Sequence, residues 1–266
     1  MTCRLKITQY TQSRTIMADP RLLNDYRFRL SRASQLRVDE VHPWSNWMLS
    51  LVVACTAAWI GASLVLVPGE EPSHFHFLDE RGAITVLSAL FLAASSAFAL
   101  VAFLVSHHRP MDADSWFWLV AAGGLAMLSL DELLQFHERL GGFLDADPAL
   151  KTSAFRNWND IIVIGYGFLA VGIGLYFLPV VLSYNRMIQL LGIAFFMFAI
   201  HTVVDSIAEP PTHTSVVIEE SAKLFTGAFI LLAMLQGMLQ SVRLSGYSKA
   251  AIPASISEAT QRTNSG

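Results

Sequence analysis

The sequence predicts an all-α membrane protein, a bundle of six transmembrane helices. Three observations carry that reading. Apolar residues make up 53% of the chain and charged residues only 15%, where soluble domains carry roughly 25% charged residues. Mean hydropathy is +0.46. Six apolar stretches are each long enough to cross a hydrocarbon core of about 30 Å, which takes roughly 20 helical residues.

The first stretch, 47–67, is free of charge and stops at Pro68-Gly69. The second covers 82–105. The third starts near Ser115, is uncharged through Leu130, and continues through Asp131 and His137 to Leu140 before Gly141-Gly142. The fourth, 161–182, carries Gly165, Gly167, Gly172 and Gly174 at spacings that allow close helix packing. The fifth and sixth cover 187–208 and 216–239. Helices are the only open-chain structure that satisfies every backbone N–H and C=O without water. Around this membrane domain (47–241), residues 1–46 form a basic arm and 242–266 a Ser-, Ala- and Thr-rich tail that reads as disordered. Met17-Ala18-Asp19-Pro20 reads as an alternative start. The first apolar stretch lacks a small-residue cleavage site and reads as a signal anchor. Cys3 and Cys55 lie in different phases, which predicts neither a disulfide nor thiol chemistry.

Lys and Arg set the orientation. With the amino terminus in the cytoplasm, 13 of the 18 basic residues and 7 of the 21 acidic ones fall inside. The inner face is then +6 and the outer face −9, matching the total of −3. This asymmetry places both termini in the cytoplasm and the chain in the inner (cytoplasmic) membrane. Membrane lipids are the expected partners, and no nucleic acid is.

Ionisable groups within a span are costly, so each needs a reason. Here they converge at one depth. The third and fifth helices run outward and carry Asp131, Glu132, His137 and Glu138, and His201 and Asp205. The fourth and sixth run inward and begin with Asp160, and with Glu219, Glu220 and Lys223. Side chains tilt toward a helix amino terminus. Lys223 is therefore expected to snorkel outward and pair with Glu219 at i,i+4, and Asp160 to stabilise its helix dipole. The same tilt aims Asp131, Glu132, His201 and Asp205 toward the bilayer centre, roughly 24 Å (Asp131) and 21 Å (His201) beyond their helix starts. At 100° per residue along the third helix, Asp131, Gln135 and Glu138 share a face, and His137 points about 100° from Glu138, toward a different neighbour. Glu71 and His74 have ExxH spacing, but Pro72 and the loop setting argue against a bundle-type ligand pair. His74-Phe75-His76 in that loop is placed to fold over the outer mouth, and the loop otherwise reads as a solvated acidic turn.

Ser129-Leu130-Asp131-Glu132 followed by His137-Glu138 resembles a signature of uncharacterised bacterial multi-pass membrane proteins, which implies no activity. A fainter similarity is to the superfamily of alkaline ceramidases and progestin/adiponectin-type receptors, helical membrane hydrolases or receptors with an intramembrane zinc held by Ser, Asp and three His. Asp131 with His137, and His201 with Asp205, carry it. The spacing after Asp131 differs, and Asp205 stands where the closing His pair would need histidine.

The residue types then predict a metal-dependent enzyme, a hydrolase or oxidoreductase, acting on a lipid or lipid-like substrate. Asp131, His201, Asp205, Glu219 and His137 are the expected ligands of a divalent transition metal (zinc, manganese or iron), because imidazole with carboxylate suits those ions. Glu132, Glu138 and Glu220 are the expected catalytic carboxylates. A cation- or proton-coupled transporter, with the same groups as a relay, is the alternative, and a non-catalytic membrane subunit a third.

Overall fold

The computed structural model describes residues 43–65, 82–106, 111–147, 149, 157–207 and 212–250. Those residues form α1 (Pro43–Val65), α2 (Ala83–Ser106), α3 (Ala113–Leu134), α4 (Phe136–Asp145), α5 (Trp158–Tyr176), α6 (Leu178–Ser183), α7 (Asn185–Ile207) and α8 (His213–Ala250). Among the described residues, six helices (α1, α2, α3, α5, α7 and α8) are long and apolar enough to cross a membrane. Their outer faces suit lipid: Leu104 is 65% exposed and Phe168 75%, an anomaly in water but not in a bilayer. The protein is an all-α, multi-pass membrane helix bundle.

The best-packed pairs are α2 with α3, α2 with α8 and α7 with α8. Along α8, Ala222, Leu224, Ala228, Leu232 and Ala233 are buried, mostly small residues that let neighbouring helices approach closely. Serine hydroxyls tie α3 to α2. Ser129 Oγ donates to the Ala89 carbonyl at 2.9 Å, Ser96 Oγ to that of Ala122 at 2.8 Å, and Ser115 Oγ to that of Ser106 at 3.2 Å. Each such bond contributes about 0.6 kcal/mol in a bilayer. The larger buried cluster lies at the Ser106 end, where Trp118, Tyr184 and Met187 are enclosed and Gly237 leaves the space that the Trp118 ring occupies. The six-residue α6 meets the same cluster through Val181.

Three expected elements differ. The third span is not one helix. It breaks at Gln135, whose φ of 56° is the only positive φ among the described residues. The fourth span ends at Tyr176 rather than running to Leu182. Pro179 lacks an N–H and cannot sit inside a continuous helix, and it occupies the first turn of α6 instead. The sixth continues past Leu239 to Ala250, so that the first residues of the expected tail are helical. The loop carrying His74 and His76, together with His107, His108 and Glu209, lies outside the described residues.

Candidate functional site

Helices α2 to α8 line a cavity of about 850 Å³ that runs from the Val181 and Ile188 edge of the Trp118 cluster to the opposite end of the bundle. Its walls change character along its length. On α7 the lining runs Ile188, Leu191, Phe195 and Phe198 before it reaches His201 and Asp205. On α8 the order is reversed in sequence but the same in space: Glu219, Glu220 and Lys223, then Thr226 and Ile230. α5 starts with Asn159 and Asp160 and continues through Tyr166 to Val171 and Leu175. Each helix therefore supplies polar groups at one end and apolar ones below. From Ile188 to His201 the apolar length is about 20 Å.

The break at Gln135 organises the polar end. One oxygen of Asp131 accepts the backbone N–H of His137 at 2.9 Å, in the first turn of α4. The other lies 2.8 Å from His137 Nδ1. A carboxylate only accepts, so Nδ1 carries the proton, and in the neutral ring Nε2 holds the lone pair. Asp131 thus supplies the acceptor that α4's exposed amide needs and the negative charge that its positive end favours. Had α3 run on unbroken, His137 would point away from Asp131. His137 Nε2 stands 3.8 Å from Glu138 Oε1, farther than its partner Asp131.

Lys223 also departs from its expected role. Its Nζ lies 2.8 Å from Glu220 Oε1 and 3.3 Å from Glu132 Oε1. The second contact is an ion pair by distance but is not aligned as a hydrogen bond, and Glu132 Oε1 is buried without one. Lys223 therefore bridges α8 to α3 inside the bundle, with Glu220 and not Glu219 as its near partner. Glu219 instead faces His201, Oε1 to Nδ1, at 4.0 Å. Asp160 is buried, 4% exposed, in the first turn of α5, so its charge meets the positive end of the helix from within the protein.

All the expected site residues line this one cavity: Asp131, Glu132, His137, Glu138, His201, Asp205, Glu219 and Glu220. Asp131 holds His137, Glu132 and Glu220 share Lys223, and Glu219 faces His201, so the residues are not gathered at a point. Among the described residues, no three of His, Cys, Asp and Glu come close enough together to hold one ion. Asn159 and Tyr166 join the lining without having been expected there. Gly141 on α4 packs directly on Asn159, with the Asn159 backbone N only 2.8 Å from where a Cβ would stand. The Gly141-Gly142 pair after a run of charges was the available signal.

A family defined by a domain of unknown function, DUF8692, matches residues 23–236. The chain belongs to the DUF8692 family. That match covers every cavity-lining residue, so the polar end and the apolar length both fall within the DUF8692 domain. No curated protein and no solved structure matches the chain.

Proposed function

We propose that the protein is an enzyme of the cytoplasmic (inner) membrane that hydrolyses a lipid or lipid-like molecule. The chain of that molecule lies along the apolar length of the cavity and its head among the histidines and carboxylates. The observation that carries this reading is the division of one cavity into an apolar length of about 20 Å and a polar end. A path for a small ion needs no such apolar wall. His137, held through Nδ1 by Asp131, presents Nε2 as general base to a water molecule. The carboxylate fixes the tautomer and stabilises the imidazolium that forms. Glu138 is placed to relay that proton toward the leaving group.

A divalent transition metal would draw on Asp131, His137, His201, Asp205 and Glu219, and these residues would have to move together to share one ion. Elemental analysis before and after a chelator wash tests that version. The main test is turnover: purified protein in lipid bilayers should release a cleaved product from its lipid, and His137→Ala should abolish release. A wild-type protein that cleaves no class of lipid, yet moves protons or cations in sealed vesicles, would shift the assignment to transport. The buried Glu132–Lys223–Glu220 bridge is the observation that favours that second reading.

A further inference from the structure

The polar end is lopsided in charge. Seven carboxylates line it against one lysine, Lys223, among the described residues. The other basic residues on that side of the bundle do not restore the balance, because that whole face of the chain sums to −9.

A second observation concerns hydrogen bonding and is independent of the charge count. Glu220, only 8% exposed, engages Lys223 through Oε1, whereas its Oε2 is buried with no hydrogen-bond partner. His201 Nδ1 is likewise buried without a hydrogen bond, with Glu219 Oε1 4.0 Å away. A carboxylate oxygen is an acceptor. Glu220 and His201 both line the cavity, and Glu220 Oε2 lacks a donor. The group that answers this oxygen and the excess of carboxylates carries positive charge and several N–H donors. A phosphate or sulfate head supplies neither and is repelled.

We propose that the molecule held in the cavity bears a primary ammonium head, seated among Glu219, Glu220 and His201, with its chain running toward Ile188. This rests on the reading of the cavity as a lipid site and narrows the class of lipid. A free divalent cation shares the charge but makes no use of the apolar length.

The test uses the full chain in lipid nanodiscs and four probes: hexadecylamine, hexadecanol, hexadecyl sulfate and manganese(II) alone, with bound probe quantified by native mass spectrometry. The amine should bind at least about tenfold more tightly than the alcohol, the discrimination that one close charge pair supplies, and the sulfate most weakly. Glu220→Gln should erase that preference while leaving alcohol binding intact. Glu219→Gln, which leaves the Lys223 bridge untouched, should do the same and carries the test should Glu220→Gln not fold. Equal binding of amine and alcohol, or tightest binding of the sulfate, overturns the ammonium head and leaves the lipid reading standing. Manganese binding without amine binding overturns it in favour of a free cation. Failure of all three chains to bind removes the lipid reading itself.

Discussion

With both oxygens of Asp131 engaged by His137, one at the backbone and one at the ring, replacement by asparagine alters the chemistry more than the shape. The amide oxygen can still accept the backbone N–H of His137. The amide nitrogen then faces Nδ1 and turns the imidazole to the tautomer whose Nε2 carries a proton and cannot act as base. Asp131→Asn should therefore lower kcat by about 10²–10⁴ with little change in KM. Asp131→Asn combined with His137→Ala should cost nothing beyond His137→Ala alone, and additive losses in a kinetic double-mutant cycle would show that the two act separately. Lys223 invites a different measurement. Lys223→Met strands Glu132 and Glu220 inside the bundle and should cost about 3–5 kcal/mol, read as a lowered Tm in detergent. Glu132→Leu and Glu220→Leu added to it should recover most of that loss, since replacing a buried ionic group whole by apolar side chains is commonly neutral.

At the scale of the helix, the turn at Gln135 is where the sequence misleads. Nothing between Asp131 and His137 is Gly or Pro, so neither of the strong chain-breaking residues marks the spot, and a continuous helix is the natural reading. The break is held by a side chain acting across six residues, which no helical periodicity encodes. A non-glycine residue in the left-handed region costs about 1–2 kcal/mol. Gln135→Gly should consequently raise stability by up to about 1 kcal/mol, measured by thermal unfolding, and preserve activity. Gln135→Val should do the reverse. Gly141 is the complementary case. A Cβ there meets Asn159, including its backbone nitrogen at 2.8 Å, and backbone cannot step aside as a side chain can. Gly141→Ala should cost about 1–3 kcal/mol by overpacking and weaken substrate binding, because it pushes α4 off the helix that walls the cavity.

For the molecule as a whole, much was legible in advance. Six spans stand out by length and hydropathy alone, and the alternating direction of the helices brings Asp131, His201, Asp205 and Glu219 to one end without any knowledge of packing. What was not legible depends on who neighbours whom. Lys223 has a carboxylate at i,i+4 and another at i,i+3, and helical spacing alone does not choose between them. Glu132 from α3 does so by arriving beside Glu220. Cysteine labelling tests the orientation drawn from the Lys and Arg bias. A cysteine at Ser245 should resist membrane-impermeant reagent in intact cells, and one at Ala149 should react. The opposite pattern would turn the bundle over and place its polar cavity on the cytoplasmic side.

α5 is the odd member of the bundle. It meets α4 at Gly141 and α7 where Phe198 crosses Gly167, and otherwise leans little on its neighbours, with Leu169 63% exposed and Tyr176 79%. The long wall of the cavity is therefore the one most open to the surrounding bilayer. A lipid of the kind proposed would then arrive sideways, already dissolved in the fatty phase, and not as a monomer from water. Its supply is then a two-dimensional quantity. Turnover should follow the mole fraction of substrate in the membrane, falling when inert lipid is added at constant bulk substrate and staying level when the whole vesicle suspension is diluted with buffer.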